Sequence, residues 1–191
     1  MKLHAEQGVT RTTYAQIAKR ADVAVPTVYN HFPSLSDLLA ACGGDVLAAA
    51  PPLGPEIFSG AEDLDDRLQA LARAVDAFYR YAAPWLRWTI HEAVLVRELA
   101  DRYRGMAEGR RRLIEVALQP AFGRRPPGGL IALCEVLLDF PSWQRLAAAA
   151  EVTAEPAEAA LARGLTALAR EYLPPTGWAV QATTEPGRRR Q

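Results

Sequence analysis

The chain has 191 residues, half of them hydrophobic, with 22 basic and 22 acidic side chains and a formal net charge of zero. That apolar content supports a sizeable buried core, and the length suits one large domain or a small one joined to a larger one. The balanced charge excludes a broadly cationic nucleic-acid coat but leaves room for a small DNA-reading patch. Two distant cysteines, Cys42 and Cys134, give neither a disulfide framework nor metal-ligand spacing, so no metal or other cofactor is expected. No apolar run approaches the ~18 residues of a membrane helix, and the first residues are too polar for a signal peptide. A cytoplasmic chain with no membrane partner is the expectation.

Alanine and leucine dominate and β-branched residues rarely run together, which predicts an all-α fold punctuated by the fourteen prolines. Thr13-Tyr14-Ala15-Gln16 has the pattern of a capping box and opens a short helix with Ile17, Ala18 and Ala21 on one face. Asp22-Val23-Ala24 breaks it. A second short helix follows from Val25 to His31, with Val28 and Phe32 turned inward as core. Ser34 caps a helix carrying Leu38, Leu39 and Val46, and Pro51 and Pro52 close this first unit, residues 1–50.

Residues 51–60 read as a linker into a second unit, residues 51–173. Ser59-Gly60-Ala61-Glu62 has the form of another capping box and predicts a helix to Ala83, with Leu64, Leu68, Leu71, Val75 and Phe78 on its buried face. Pro84 suits the first turn of a next helix. Another helix spans Tyr103 to Phe122. After a loop at residues 126–129, the stripe Leu130, Leu133, Cys134, Leu137 and Leu138 is expected to be interrupted at Pro141. Leu161, Leu165, Leu168 and Tyr172 mark the last helix. The Pro-, Gly- and Arg-rich residues 174–191 read as a disordered tail.

Two short helices joined by a three-residue turn and braced by a third form a helix-turn-helix, whose second helix presents its N-terminal residues to base edges in the major groove. Thr13, Ile17-Ala18, Ala21, Val23, Thr27, Tyr29, His31-Phe32, Ser34 and Leu38 stand at the spacing of the TetR family signature, and the chain resembles that family closely here. Beyond residue 39 the resemblance is architectural. It implies an N-terminal three-helix DNA-binding domain and a C-terminal helical ligand-binding and dimerisation domain. The function implied is that of a transcriptional repressor: a homodimer on palindromic double-stranded operator DNA, released by a small-molecule effector.

The resemblance also assigns roles by position. Thr13 caps its helix where a hydroxyl and nearby amides meet a phosphate. Tyr29 and His31 match phosphate-holding positions. Val25, Pro26, Thr27 and Asn30 stand where the family touches base edges; Thr27 suits a base or a thymine methyl and Asn30 suits adenine. Lys19 and Arg20 add electrostatic attraction. Asp22 replaces the family's turn glycine, a substitution that aspartate tolerates in a left-handed conformation. Leu35 replaces a phosphate-binding lysine. The family's first helix is represented only by the equivalent of its closing turn, Leu3 to Gly8. Either translation starts further upstream or this helix is truncated, and the second case leaves an alternative: a helical small-molecule-binding protein of the same ancestry that no longer binds DNA.

For the effector, Phe78, Trp85, Trp88, His91, Glu92 and Trp143 are the candidate pocket residues, with Tyr81, Tyr103, Phe122 and Phe140 beside them. An aromatic stripe at helical spacing reads equally as core, and Glu92 or His91, if buried, needs a partner. Ala157, Ala160 and Gly164 would let helices pack closely in a dimer built from the last two helices. Arg102, Arg104, Arg110, Arg111 and Arg112 read as a solvated face, with anion recognition as the other reading. The scattered His4, His31 and His91, and the lack of a nucleophile elbow or phosphate-binding loop, argue against an enzyme.

Overall fold

The computed structural model describes residues 2–123, 125–153 and 155–173; the expected tail lies outside them. The described residues are helical with no strand: α1 (Lys2–Gln7), α2 (Tyr14–Ala21), α3 (Val25–His31), α4 (Leu35–Ala48), a 3-10 turn at Pro55–Phe58, α5 (Leu64–Glu92), α6 (Arg97–Phe122), α7 (Gly128–Leu137), α8 (Phe140–Thr153) and α9 (Ala157–Tyr172).

The N-terminal boundaries follow local chemistry. Thr13 accepts from the Gln16 amide while the Gln16 side chain accepts from Thr13, and Ser34 and Asp37 repeat this reciprocal arrangement at the start of α4. Asp22 closes α2 in a left-handed conformation, φ 55° and ψ 46°. Ala18, Val28, Leu38 and Leu39 are the buried residues of α2 to α4.

The second unit departs from its sequence pattern in two places. The expected capping box at Ser59 does not form. Gly60 has a positive φ of 79°, which a first helical residue cannot adopt, and Asp63 caps α5 instead by accepting from the Asp66 amide at 2.8 Å. Nor does Pro84 start a helix: α5 runs through it unbroken for 29 residues. An internal proline costs a helix ~3 kcal/mol. The apolar face offsets this, because Val75, Phe78, Tyr79, Ala82 and Leu86 stay buried in helical register on both sides of Pro84.

α5 is the axis of the molecule, packing on α9, α6, α8, the 3-10 turn and α1. α6 starts ahead of its expected position at Arg97, its first turn anchored by buried Leu99. Pro141 falls within the first turn of α8, where the Asp139 carboxylate accepts from the Ser142 amide at 2.8 Å. Of the expected α9 stripe, Leu161 and Leu165 are fully buried inside the chain together with Ala157 and Ala169, Leu168 is half-buried against the core, and Tyr172, at the last turn where the packing ends, is exposed. Gly164 serves this intrachain packing, since a Cβ there would stand 2.9 Å from Leu137 of α7. Leu71 is wholly buried on α5. Leu71→Ala is expected to cost about 2–5 kcal/mol of stability, read from the shift of the urea midpoint.

Candidate DNA-binding face and junction cavity

α3 displays its expected DNA-reading side chains outward. Val25, Pro26, Tyr29, Asn30 and His31 are exposed, Thr27 is half-buried, and Val28 alone faces fully inward. Phe32, expected as core, is half-buried. The Tyr29 ring stacks on Tyr14 with centroids 4.3 Å apart and planes 12° from parallel, while the Tyr14 hydroxyl donates to the Phe32 carbonyl at 3.0 Å. Tyr14 thus braces the ring that carries an exposed phenol, a role the sequence pattern did not show. Thr13 is exposed, and its hydroxyl oxygen accepts from the Gln16 amide at 3.2 Å, which leaves its proton to donate.

Charge on this face is sparser than the sequence implied. Arg20 forms a two-pronged pair with Glu6, at 2.6 and 2.9 Å, which raises the guanidinium pKa and lowers the carboxyl pKa through the shared hydrogen bonds. Lys2, Arg11 and Lys19 are the other exposed cations among the described residues of α1 to α3 and their loops.

A cavity of about 350 Å³ separates this unit from the body. α1 and the loop after it contribute His4 and Val9; α4 contributes Leu39, Cys42, Gly43, Val46 and Leu47. Phe78, Trp85, Trp88 and Glu92 of α5 line it, as do Leu99, Arg102 and Met106 of α6. Four of the six candidate pocket residues therefore meet here. His91 is exposed, on another side of α5. Trp143 is core: it is 6% exposed, packs between Tyr79 and Phe140, and donates its indole N–H to buried Asp76 at 2.8 Å. The wall contributed by α1 and α4 was missed because nothing local in the sequence sets the gap between two packed units.

The end of α5 also holds the N-terminal unit. Arg87 and the Trp88 indole donate to the Ala5 carbonyl at 2.9 and 3.0 Å, satisfying an acceptor at the end of the six-residue α1. One turn on, buried Glu92 accepts from the Val9 and Thr10 amides at 2.7 and 3.1 Å and from the Thr10 hydroxyl at 2.5 Å. Gly8 makes room for that carboxylate: its φ is +84°, and a Cβ there would collide with Glu92. Buried His4 lies nearby. Burial holds its pKa below the ordinary 6.5, with the Glu92 charge pulling the other way.

Two predictions follow from the clamp. Glu92→Ala leaves two half-buried amides without their acceptor. It should cost about 1–3 kcal/mol and accelerate amide exchange at Val9 and Thr10, while exchange in the middle of α5 stays slow. The second concerns His4. With a depressed folded pKa, its contribution to stability is full above pH 6.5 and is lost as pH falls through the folded value. Thermal midpoints should fall as pH drops below 6.5, and His4→Gln should flatten that slope.

Residues 1–42 match the family model described as bacterial regulatory proteins, tetR family, a segment that covers α1 to α3 and the first half of α4. No curated protein and no solved structure matches the chain. Among the described residues no helix is long and apolar enough to cross a membrane. The matched segment, about a fifth of the chain, holds the capped α2, the left-handed turn at Asp22 and the outward α3, and over these residues the chain is similar to the tetR family of bacterial regulatory proteins.

Proposed function

We propose that the protein is a transcriptional repressor that binds a palindromic operator as a homodimer and releases it when a small molecule enters the junction cavity. The outward display of α3 carries this reading: Val25, Pro26, Tyr29, Asn30 and His31 are exposed on a helix whose one fully buried side chain is Val28. In the proposed complex α3 enters the major groove. Thr27 and Asn30 read base edges, Val25 and Pro26 supply apolar contact, and Thr13, Tyr29 and His31 hold phosphates. The domains proposed are residues 1–50 for DNA and 51–173 for effector and dimer, in a cytoplasmic protein.

Dimerisation places two copies of α3 about 34 Å apart, one turn of the duplex. Because Leu161 and Leu165 of α9 are buried within the chain, the surface proposed for pairing is the exposed apolar part of α7 and α8: Leu133 and Val136, 44% and 63% exposed, and Val152, 88% exposed.

Release is proposed to run through the end of α5. Trp88 and Glu92 line the cavity and also hold Ala5, Val9 and Thr10. An occupant that favours a different placement of either side chain changes the angle at which α1 to α4 leave the body. The population then shifts toward dimers whose recognition helices no longer match successive grooves.

Mobility shift on the DNA upstream of the chain's own coding sequence is the direct test: a palindrome-specific complex is expected. The alternative protein that has lost DNA binding gives no shift on any sequence. Tyr29→Phe should weaken all sequences alike by ~1 kcal/mol, roughly fivefold. Asn30→Ala should remove about 1–3 kcal/mol at the one base it reads and change sequence preference. A changed preference in Tyr29→Phe with overall affinity intact would refute this division of roles. Val136→Glu should turn a sedimenting dimer into a monomer.

A further inference from the structure

The junction cavity carries a cation that the fold leaves unused. Arg102 stands on its α6 wall, half-buried. Four other arginines of α6 are engaged: Arg97 and Arg104 pair with Asp101, Arg111 pairs with Glu115 and Glu135, and Arg110 donates to the Tyr79 hydroxyl at 3.1 Å, whereas Arg112 is not part of the cavity wall. Among the described residues Arg102 has no such carboxylate or acceptor within bonding distance. Its guanidinium lies against the α4 backbone, where a Cβ on Gly43 would collide with it.

Apart from the weakly polar Cys42 thiol, the other polar side chains of the wall are occupied. Glu92 takes three hydrogen bonds from Val9 and Thr10, the Trp88 indole donates to Ala5, and the Thr89 hydroxyl donates to the Trp85 carbonyl at 3.1 Å. Buried His4 favours its neutral form. What remains is apolar: Leu39, Val46, Phe78, Leu86, Leu99 and Met106. Filling such a cavity with an uncharged molecule strips water from a guanidinium and gives nothing back, whereas a carboxylate satisfies it through paired N–H bonds. A cationic ligand has no free anion to meet, because the Glu92 oxygens are already committed. A phosphate dianion needs more donors than one arginine supplies. The volume of about 350 Å³ lies at the lower end of the ~300–1,000 Å³ of small-molecule sites.

We propose that the junction cavity binds an apolar monocarboxylate, its carboxylate paired with Arg102 and its tail laid against the aromatic and aliphatic side chains of α5 and α4. This deepens the reading above, and rests on it only in making that acid the effector.

The test uses the full chain and two probes of equal length, decanoate and decanol, titrated below micelle-forming concentration with tryptophan fluorescence as readout, since Trp85 and Trp88 line the cavity. Decanoate should bind at least tenfold more tightly than decanol. Arg102→Gln should abolish that preference, and Arg102→Lys should keep most of it. Equal affinity for acid and alcohol in the unsubstituted chain overturns the proposal, whatever the variants do. So does tighter binding of decyltrimethylammonium, or an acid preference that survives in Arg102→Gln. Mobility shift on the same samples separates the two ideas. An operator complex without acid preference removes the ligand assignment alone; acid preference without any DNA complex removes the regulator reading alone.

Discussion

The arrangement of the whole chain depends on α5 running through Pro84 without a break. At about 1.5 Å per residue its 29 residues form a rod of roughly 43 Å. Its first half is core, with Leu68, Leu71, Ala72 and Val75 buried against α9 and α6. Its last turns leave that core and hold the N-terminal unit. Were the helix to stop at Ala83, Arg87, Trp88 and Glu92 would lie on a separate element, free to turn relative to the core. The burial of Ala82 and Leu86 on either side of Pro84 is therefore what fixes the N-terminal unit to the body.

The grip itself is polar. A six-residue helix is too short to be stable in isolation, and α1 relies on α5 for the donors to its Ala5 carbonyl. The helix-turn-helix has a small core of its own, and the face that α4 turns toward the body borders the cavity. A unit held by a handful of directional hydrogen bonds across a cavity reorients at lower cost than one sealed by close-packed apolar surface. The same side chains that hold it, Trp88 and Glu92, are the ones that an occupant of the cavity touches.

What the sequence disclosed divides along the range of the interactions. The capping residues Thr13 and Ser34, the left-handed Asp22 and the limits of α3 each depend on a few adjacent residues, and each was legible. Gly60 and Pro84 were read by local preference and misplaced. Gly60 lies at positive φ in the turn where the Ala61 amide donates back to the Phe58 carbonyl, and Pro84 is overruled by burial of the stripe that continues past it. Of the candidate pocket residues, Phe78, Trp85, Trp88 and Glu92 reach the cavity and Trp143 does not, because an indole at that spacing fits a cavity wall or the buried Asp76 equally well until α8 is docked. Glu92 was visible as a carboxylate in need of a partner. That the partner is a loop more than eighty residues away is a fact of tertiary structure.

Electrostatics then limit how the proposed repressor can hold DNA. The chain carries no net charge, Arg20 is engaged by Glu6, and Leu35 stands where the resembling family places a lysine. The remaining exposed cations of α1 to α3 and their loops are Lys2, Arg11 and Lys19, supplemented by hydrogen-bond donors at Thr13, Tyr29 and His31. In the proposed complex few phosphates would be neutralised per protomer, so the affinity expected for a single half-site is modest and falls only gently with salt. Tight occupancy in the proposed dimer must come from engaging two half-sites at once, where the second contact gains from the effective concentration set by the first. That gain disappears when the spacing of the two helices is wrong. On the proposed reading a small rotation of α1 to α4 about the end of α5 would therefore be sufficient for release, without unfolding of that N-terminal unit.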